Sequence, residues 1–552
     1  MRTRLRVLRN SARVAAALML VSLGLAGAPA SASTGGNTPI SGSGSSWAAI
    51  AIDQWISNIR STGIVVNYNP DGSGTGRTEF IQNLDDFTGS DPPFRNGGDE
   101  LAGTAAEHSP WNYSYIPDVA GGTAFMYHIS VGGHLIRNMR LSAPTIMKIF
   151  TGKITNWDDP AITHDYGKRL PSLPIVPVIR SDFSGATYFL TQWFRHISQS
   201  GWNAFCQKVH PGIKLPCPET ELYPSFGNAK AENGSNNAAA YVTSSFANGS
   251  IDYDEYAYAL NSHYPVVQVL NPAGYFVGPT YTNVAIALTH AKINEDQNSV
   301  NFLQQDLSNV YTNKDPRTYP LSEYSYFIVP RTPKPPPIFA SPSGKGQSLS
   351  SFINYLLCDG QQHVNQIGYS PLPVNLVRGG FRQDSFIPNH GSIPSLSTLP
   401  KCHNPTFING VNTVTKFAPF PTKCQKLGAP LDCVIRNGKA VAGGSGGTHG
   451  GNGNGNGKGS GNGKGSGKGS GSGKGSGKGS SSGKGSSQGS SQGSSSSGLP
   501  GTAVNATAAG VNLASDHANQ MLLWVLTALG ILAAVATPPT LAAWRRRKQA
   551  HG

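Results

Sequence analysis

Short apolar runs and amphipathic stretches alternate through most of this chain. GIVVNYN (63–69) and LPIVPVI (173–179) have the near-continuous apolar character of buried strands, and GRTEFIQNL (76–84) has helical spacing. This alternation predicts α/β layers with mostly parallel pairing. Three segments repeat one local plan, a turn rich in Gly and Ser that opens into a helix. The first is ISGSGSSWAAIAIDQWISNIR (40–60), in which Ile52, Trp55, Ile56 and Ile59 form an apolar stripe and Ser46 lies at the helix mouth. The second is VVNYNPDGSGTGRTEFI (65–81), with Ser73 between Gly72 and Gly74. In the third, Arg180 ends a strand and Ser184-Gly185 opens a helix carrying Tyr188, Phe189, Trp193, Phe194 and Ile197.

Helix mouths of this kind leave backbone N–H groups free at the positive end of the helix dipole, a ready anion site. Any one of them is also ordinary capping chemistry. Three of them with one arginine, whose planar fork suits a tetrahedral oxyanion, point to a shared site. None fits GxxxxGK[ST], which argues against a nucleotide P-loop. FTGSDPPF (87–94) adds Asp91. A carboxylate beside an anion makes sense if the ligand carries a proton for it to accept, as hydrogen phosphate does and sulfate does not. Otherwise Asp91 is an Asx turn ahead of Pro92-Pro93.

Charge narrows the class further. The chain has 552 residues and a formal charge of +14. The excess lies in residues 1–32, 441–520 and the last eight residues, whereas 33–440 holds 28 basic and 28 acidic residues. A neutral body argues against nucleic acid as a partner. Residues 1–32 have the arginines, apolar run and Ala30-Ser31-Ala32 ending of a signal peptide, with cleavage expected after Ala32 or else Ala30. Six cysteines in an exported chain point to disulfides, with Cys206–Cys217 and Cys424–Cys433 the shortest loops to close. CxxC-type zinc spacing is absent. A Gly/Ser/Lys linker (441–518) leads to an apolar stretch (519–544) expected to span a bilayer. The Arg-Arg-Arg-Lys that follows predicts a cytoplasmic C-terminus (545–552) and an extracellular body.

SGSGSSW, VNYNPDGSGTG, GSDPPF, IFTGKITNWDDPAI, VIRSDFSGAT, GSIDYDEYAYA and GYSPLPVNLV occur in that order from Thr38 to Val377. In this the chain resembles the PstS-like phosphate-binding protein of the phosphate-specific ABC importer. The resemblance implies a two-lobed periplasmic-binding-protein fold of type II. Lobe 1 would be 33–118 with a return at 263–377, lobe 2 would be 119–262, and 378–440 would be a cysteine-containing extension. It further implies a binder of inorganic phosphate, not an enzyme and without a cofactor, that delivers its ligand to an ABC permease. A surface scavenger or sensor, or a binder of another oxyanion without a permease, is the alternative.

Carried over, Ser46 and the backbone of Trp47 would bind phosphate from the first helix mouth and Ser73 from the second. Asp91 would accept the ligand proton. Arg180, Ser184, Gly185 and the N–H of Ala186 would complete the shell. Two positions depart from the family's Arg-x-Asp-Gly-Ser-Gly-Thr. Phe183 replaces a glycine, and Ala186 replaces a threonine, which removes a hydroxyl unless Thr187 supplies one. The family is commonly lipid-anchored through an N-terminal cysteine, which this chain lacks. A hydrolase would need a base beside Ser73 or Ser184, for which Asp182 and His128 are the candidates. The adjacent Asp158 and Asp159 read as a helix cap.

Overall fold

The computed structural model describes residues 37–339 and 344–443. The expected signal peptide, the linker from residue 444 and the apolar stretch with its basic tail lie outside the described residues. Among the described residues no helix is long and apolar enough to cross a membrane.

In chain order the elements that frame the site are β1 (Ile40–Gly44), α1 (Ala49–Ile59), β2 (Val66–Asn69), α2 (Ser73–Ile81), β3 (Phe87–Ser90) and β4 (Tyr113–Ala124). They continue as β5 (Val176–Arg180), α3 (Gly185–Val209), β6 (Lys230–Glu232), α4 (Gly234–Thr243), β7 (Ser250–Ile251) and β8 (Asp254–Glu255). After these come β9 (Ser322–Pro330), α5 (Lys345–Leu357), α6 (Val374–Asp384), β10 (Cys433–Arg436) and β11 (Lys439–Ala442).

A six-stranded sheet runs β8-β4-β9-β3-β1-β2, and a second sheet runs β7-β5-β6. The second is parallel throughout, as expected. The first departs from expectation. β1 is parallel to β2 and β3, but β9 runs antiparallel to both β3 and β4, and β8 antiparallel to β4. The reason is in the connections. β3 and β4 run in the same direction, and β9, arriving from a distant part of the chain, inserts between them in the opposite direction.

Burial follows the apolar pattern closely. In α1, Ile52, Trp55 and Ile59 are buried and Ile56 is half-buried, so the stripe faces the core. In α3, Phe189, Trp193 and Phe194 are buried. This helix bends at Ser198, whose non-helical backbone starts a new turn while its Oγ accepts from Gly201 N (3.0 Å). Asp159 caps the helix Pro160–Tyr166 by accepting from Ala161 N (2.8 Å), the role expected of it.

Two expected boundaries fall inside elements: 118/119 within β4 and 377/378 within α6. α6 packs on β4 through buried residues that include Leu376, Val377 and Phe381. The start of the extension therefore belongs to the main layer. Cys206–Cys217 and Cys424–Cys433 pair as expected, and Cys358–Cys402 ties the end of α5 to the extension.

On α6, buried Asp384 accepts from Ser350 Oγ (3.0 Å), and burial, against that bond, raises its pKa to about 8. A raised acid holds its proton in the folded state and releases it on unfolding, so its contribution is lost as pH rises towards 8. Asp384→Asn is expected to remove a fall in stability of up to about 1.4 kcal/mol per pH unit between pH 4 and 8. Chemical denaturation across that range measures it.

Candidate functional site

Four helices of the described body begin just after a strand at a small, hydroxyl-bearing turn. β1 leads to Ser45-Ser46 before α1, and β2 leads to Gly72-Ser73 at α2. β5 leads to Ser184-Gly185 at α3, and β6 leads to Gly234-Ser235 at α4. First-turn amides have no acceptor within their own helix, so each mouth presents donors and a positive dipole end.

Arg180, at the C-terminal end of β5, joins them. Its side chain is buried, and its Nη2 donates to Ser46 Oγ at 2.6 Å and its Nη1 to Ser235 Oγ at 3.1 Å. The two serine hydroxyls are themselves 2.9 Å apart. Nε donates to Asp182 Oδ1 (2.8 Å), Nη2 also reaches Asp182 Oδ2, and Asp254 Oδ2 lies 3.5 Å from Nη1. Burial opposes the guanidinium charge, but Asp182 and Asp254 outweigh it and raise the pKa further. Asp182, despite its own burial, is held below the usual range by Arg180. The fork is thus permanently charged and fixed in direction.

Asp91 lies against the mouth of α3 with its backbone next to α2. Its Oδ1 accepts from Ser45 Oγ (2.7 Å) and Ser325 Oγ (2.8 Å), while Oδ2 has only a long contact to Ser73 Oγ (3.3 Å). Oδ2 therefore retains capacity for another donor. Burial raises the Asp91 pKa, against the hydrogen bonds of Ser45, Ser325 and Ser73 and the charge of Arg180. Gly185 is required here, because a Cβ at that position would lie 2.2 Å from Asp91 Oδ2. Gly72, at φ +105°, meets a similar limit, with Asp182 Oδ2 2.8 Å from where its Cβ would be.

The predicted residues thus gather in one buried cluster, in which Ser46 meets Arg180, and Asp91 meets Ser73 and Gly185. Ser184 is also the N-cap of α3, its Oγ accepting from Thr187 N at 3.4 Å. Ala186 is fully buried in the first turn of α3. The Trp47 indole donates to Thr123 Oγ1 (3.0 Å), which leaves only its main chain for the expected role. Thr187 does not replace the missing hydroxyl of position 186, because its Oγ1 bonds Tyr253 Oη at 2.8 Å.

Ser235, Ser45, Ser325 and Asp254 were not anticipated. Ser235 had a legible signal, since ENGSNNAAAYV (232–242) repeats the Gly-Ser helix opening. Among the described residues no imidazole or amine hydrogen-bonds Ser73 or Ser184. Asp182 is occupied by Arg180 and by Gly234 N (2.9 Å), and His128 Nδ1 is paired with the Val242 carbonyl (3.0 Å). Neither of the expected bases is therefore placed beside Ser73 or Ser184.

Behind Asp91, on β4, β8 and β9, lie Asp118, Glu255 and Glu323, all fully buried. Burial is the first cause that raises each of their pKa values well above the ordinary. The shift favours their neutral forms, which lessens the negative charge facing the neighbouring cluster.

Fold and donor set together define an α/β binding protein for a small oxyanion. The chain belongs to the PBP superfamily, whose domain profile matches residues 27–360. It is 29% identical over 358 residues to the phosphate-binding protein PstS 2 of Mycobacterium tuberculosis, covering 64% of this chain and 88% of that protein. It is 28% identical over 353 residues to the phosphate-binding protein PstS of Xylella fastidiosa (strain Temecula1), covering 63% and 86%. A solved structure of a high affinity periplasmic phosphate-binding protein, PfluDING, bound with phosphate, is similar at 18% identity and a TM-score of 0.46, over 62% of this chain and 92% of that one.

Proposed function

We propose that this chain binds inorganic phosphate outside the cytoplasm and delivers it to an ABC permease, without chemistry of its own. The observation that carries the reading is the buried fork of Arg180, aimed by Asp182 at Ser46 and Ser235 with Asp91 across the cluster. A phosphate oxygen takes over the contacts that Arg180 makes to the two serines. The first-turn amides of α2 and α3, with the main chain at Trp47, bind the remaining oxygens. Asp91 Oδ2 accepts the ligand's proton. Relatives named as phosphate-binding proteins support the same ligand. The reading includes export through residues 1–32 and anchoring through 519–544, for which the sequence pattern is the support. If no permease is coupled, the same site serves a surface scavenger or sensor.

Asp91 is the residue that tells phosphate from sulfate. A fully ionised sulfate leaves its carboxylate facing like charge with no proton between them. Asp91→Asn supplies an N–H donor instead, and is expected to reduce the phosphate-over-sulfate preference by about tenfold or more. Because burial raises the Asp91 pKa, acidification neutralises it sooner than an exposed aspartate. Phosphate affinity of the unaltered protein should fall as pH drops through that range, and the Asn variant should lack this component. Calorimetric titration with phosphate and sulfate measures both. Equal affinity of the unaltered protein for the two anions would reject the assignment.

A further inference from the structure

The extension carries surface chemistry that phosphate binding does not use. Phe417 and Phe420 are 70% and 65% exposed, and Val434 and Ile435 are also exposed. Between residues 416 and 439 the chain has five basic residues against one acid, Asp432.

These side chains belong to one braced unit. Cys424–Cys433 closes the segment onto the β10–β11 hairpin, in which Arg436 is paired opposite Lys439. Lys423 Nζ donates to the Gly438 carbonyl at the hairpin turn, so three cations gather there. At the aromatic end, Arg317 sits over the Phe420 ring at 4.2 Å and donates to the Ala418 carbonyl at 3.5 Å. Leu427 N donates to the Gly274 carbonyl (2.9 Å), which fixes the segment to the body. The phenyl rings stand exposed on a cross-linked support.

We propose that residues 416–439 form a docking surface for an anionic phospholipid bilayer. Exposed aromatic and aliphatic groups beside Lys and Arg suit the boundary between acyl chains and headgroups. A soluble polyanion would use the cations and leave the apolar groups in water. The chain outside the structure argues for the same occupant. From Gly443, where the described residues end, a Gly/Ser-rich stretch leads to residues 521–544, which contain no charged side chain. Residues 444–520 separate the surface from that stretch along the chain. Anchoring at 521–544 would keep the surface at high effective concentration near lipid, so that weak individual contacts suffice. The inference goes beyond phosphate binding and does not depend on it.

The test is amide hydrogen exchange of the full chain reconstituted in vesicles of phosphatidylcholine alone or of phosphatidylcholine with phosphatidylglycerol. Exchange across 416–439 is expected to slow by about tenfold on the anionic vesicles only. The triple variant Lys423→Glu, Arg436→Glu, Lys439→Glu and the double variant Phe417→Ser, Phe420→Ser should each lose that protection. Unchanged circular dichroism and melting temperature would show that both variants remain folded. Equal exchange on the two vesicle types overturns the proposal. So does protection by soluble polyaspartate as strong as that by anionic vesicles.

Discussion

Arg180→Ala is expected to weaken phosphate binding by at least about 100-fold, a loss on the order of 3 kcal/mol. The side chain is buried, and the substitution removes a permanent cation that touches both Ser46 and Ser235. It also strands Asp182 and Asp254, both buried, without their counter-charge. Breaking a buried pair from one side costs about 3–5 kcal/mol, so the variant should be less stable as well. Arg180→Lys separates the two effects. It keeps a positive charge for Asp182 but loses the fork, and should recover stability more fully than affinity. Calorimetry below the unfolding transition, paired with urea denaturation, reads both quantities. Unchanged phosphate affinity in Arg180→Ala would remove Arg180 from the site.

Arg77→Ala is expected to produce the largest loss of stability away from the cluster, again about 3–5 kcal/mol. Arg77 is fully buried on α2 and acts as a hub. Its Nε donates to Glu107 at 2.8 Å, its Nη2 to Glu221 at 2.8 Å, and its Nη1 to Ser90 at 2.9 Å. Burial opposes its charge, yet Glu221 and Glu107 raise its pKa further. Without the guanidinium, Glu221 keeps, among the described residues, only the more distant Arg95 (3.8 Å) as a cation. The triple variant Arg77→Met, Glu107→Gln, Glu221→Gln should regain much of the loss, because neutral groups of similar shape avoid the stranded charges. Since Arg77 links α2 to the segment that precedes β6, phosphate should also dissociate faster from the single variant. Stopped-flow release measures this. A single variant as stable as the unaltered protein would mean that the network contributes nothing net.

What the sequence made legible is local. Turn chemistry at Gly72-Ser73 and Ser184-Gly185 depends on neighbours a few residues away, so those helix mouths are where the pattern placed them. Arg180 was legible because it ends a strand beside such a turn. Ser235 used the same local code and was overlooked. Ser325 is different, because it lies 234 residues from Asp91 and its partner is set by how β9 inserts between β3 and β4. An apolar run announces a strand without specifying its neighbours, and for that reason the antiparallel centre of the main sheet was not anticipated. The expected boundary at 377/378 falls inside α6 for a similar reason. The periodicity of α6 shows an apolar face, but only the fold shows that β4 covers it.

The Cys358–Cys402 bond changes what a single backbone cut would do. Residues 389–395 are largely accessible and lie within the loop that it closes. A protease that cuts there would produce two fragments that still migrate as one on a non-reducing gel. The nicked molecule would stay covalently joined to its downstream chain until a thiol released it.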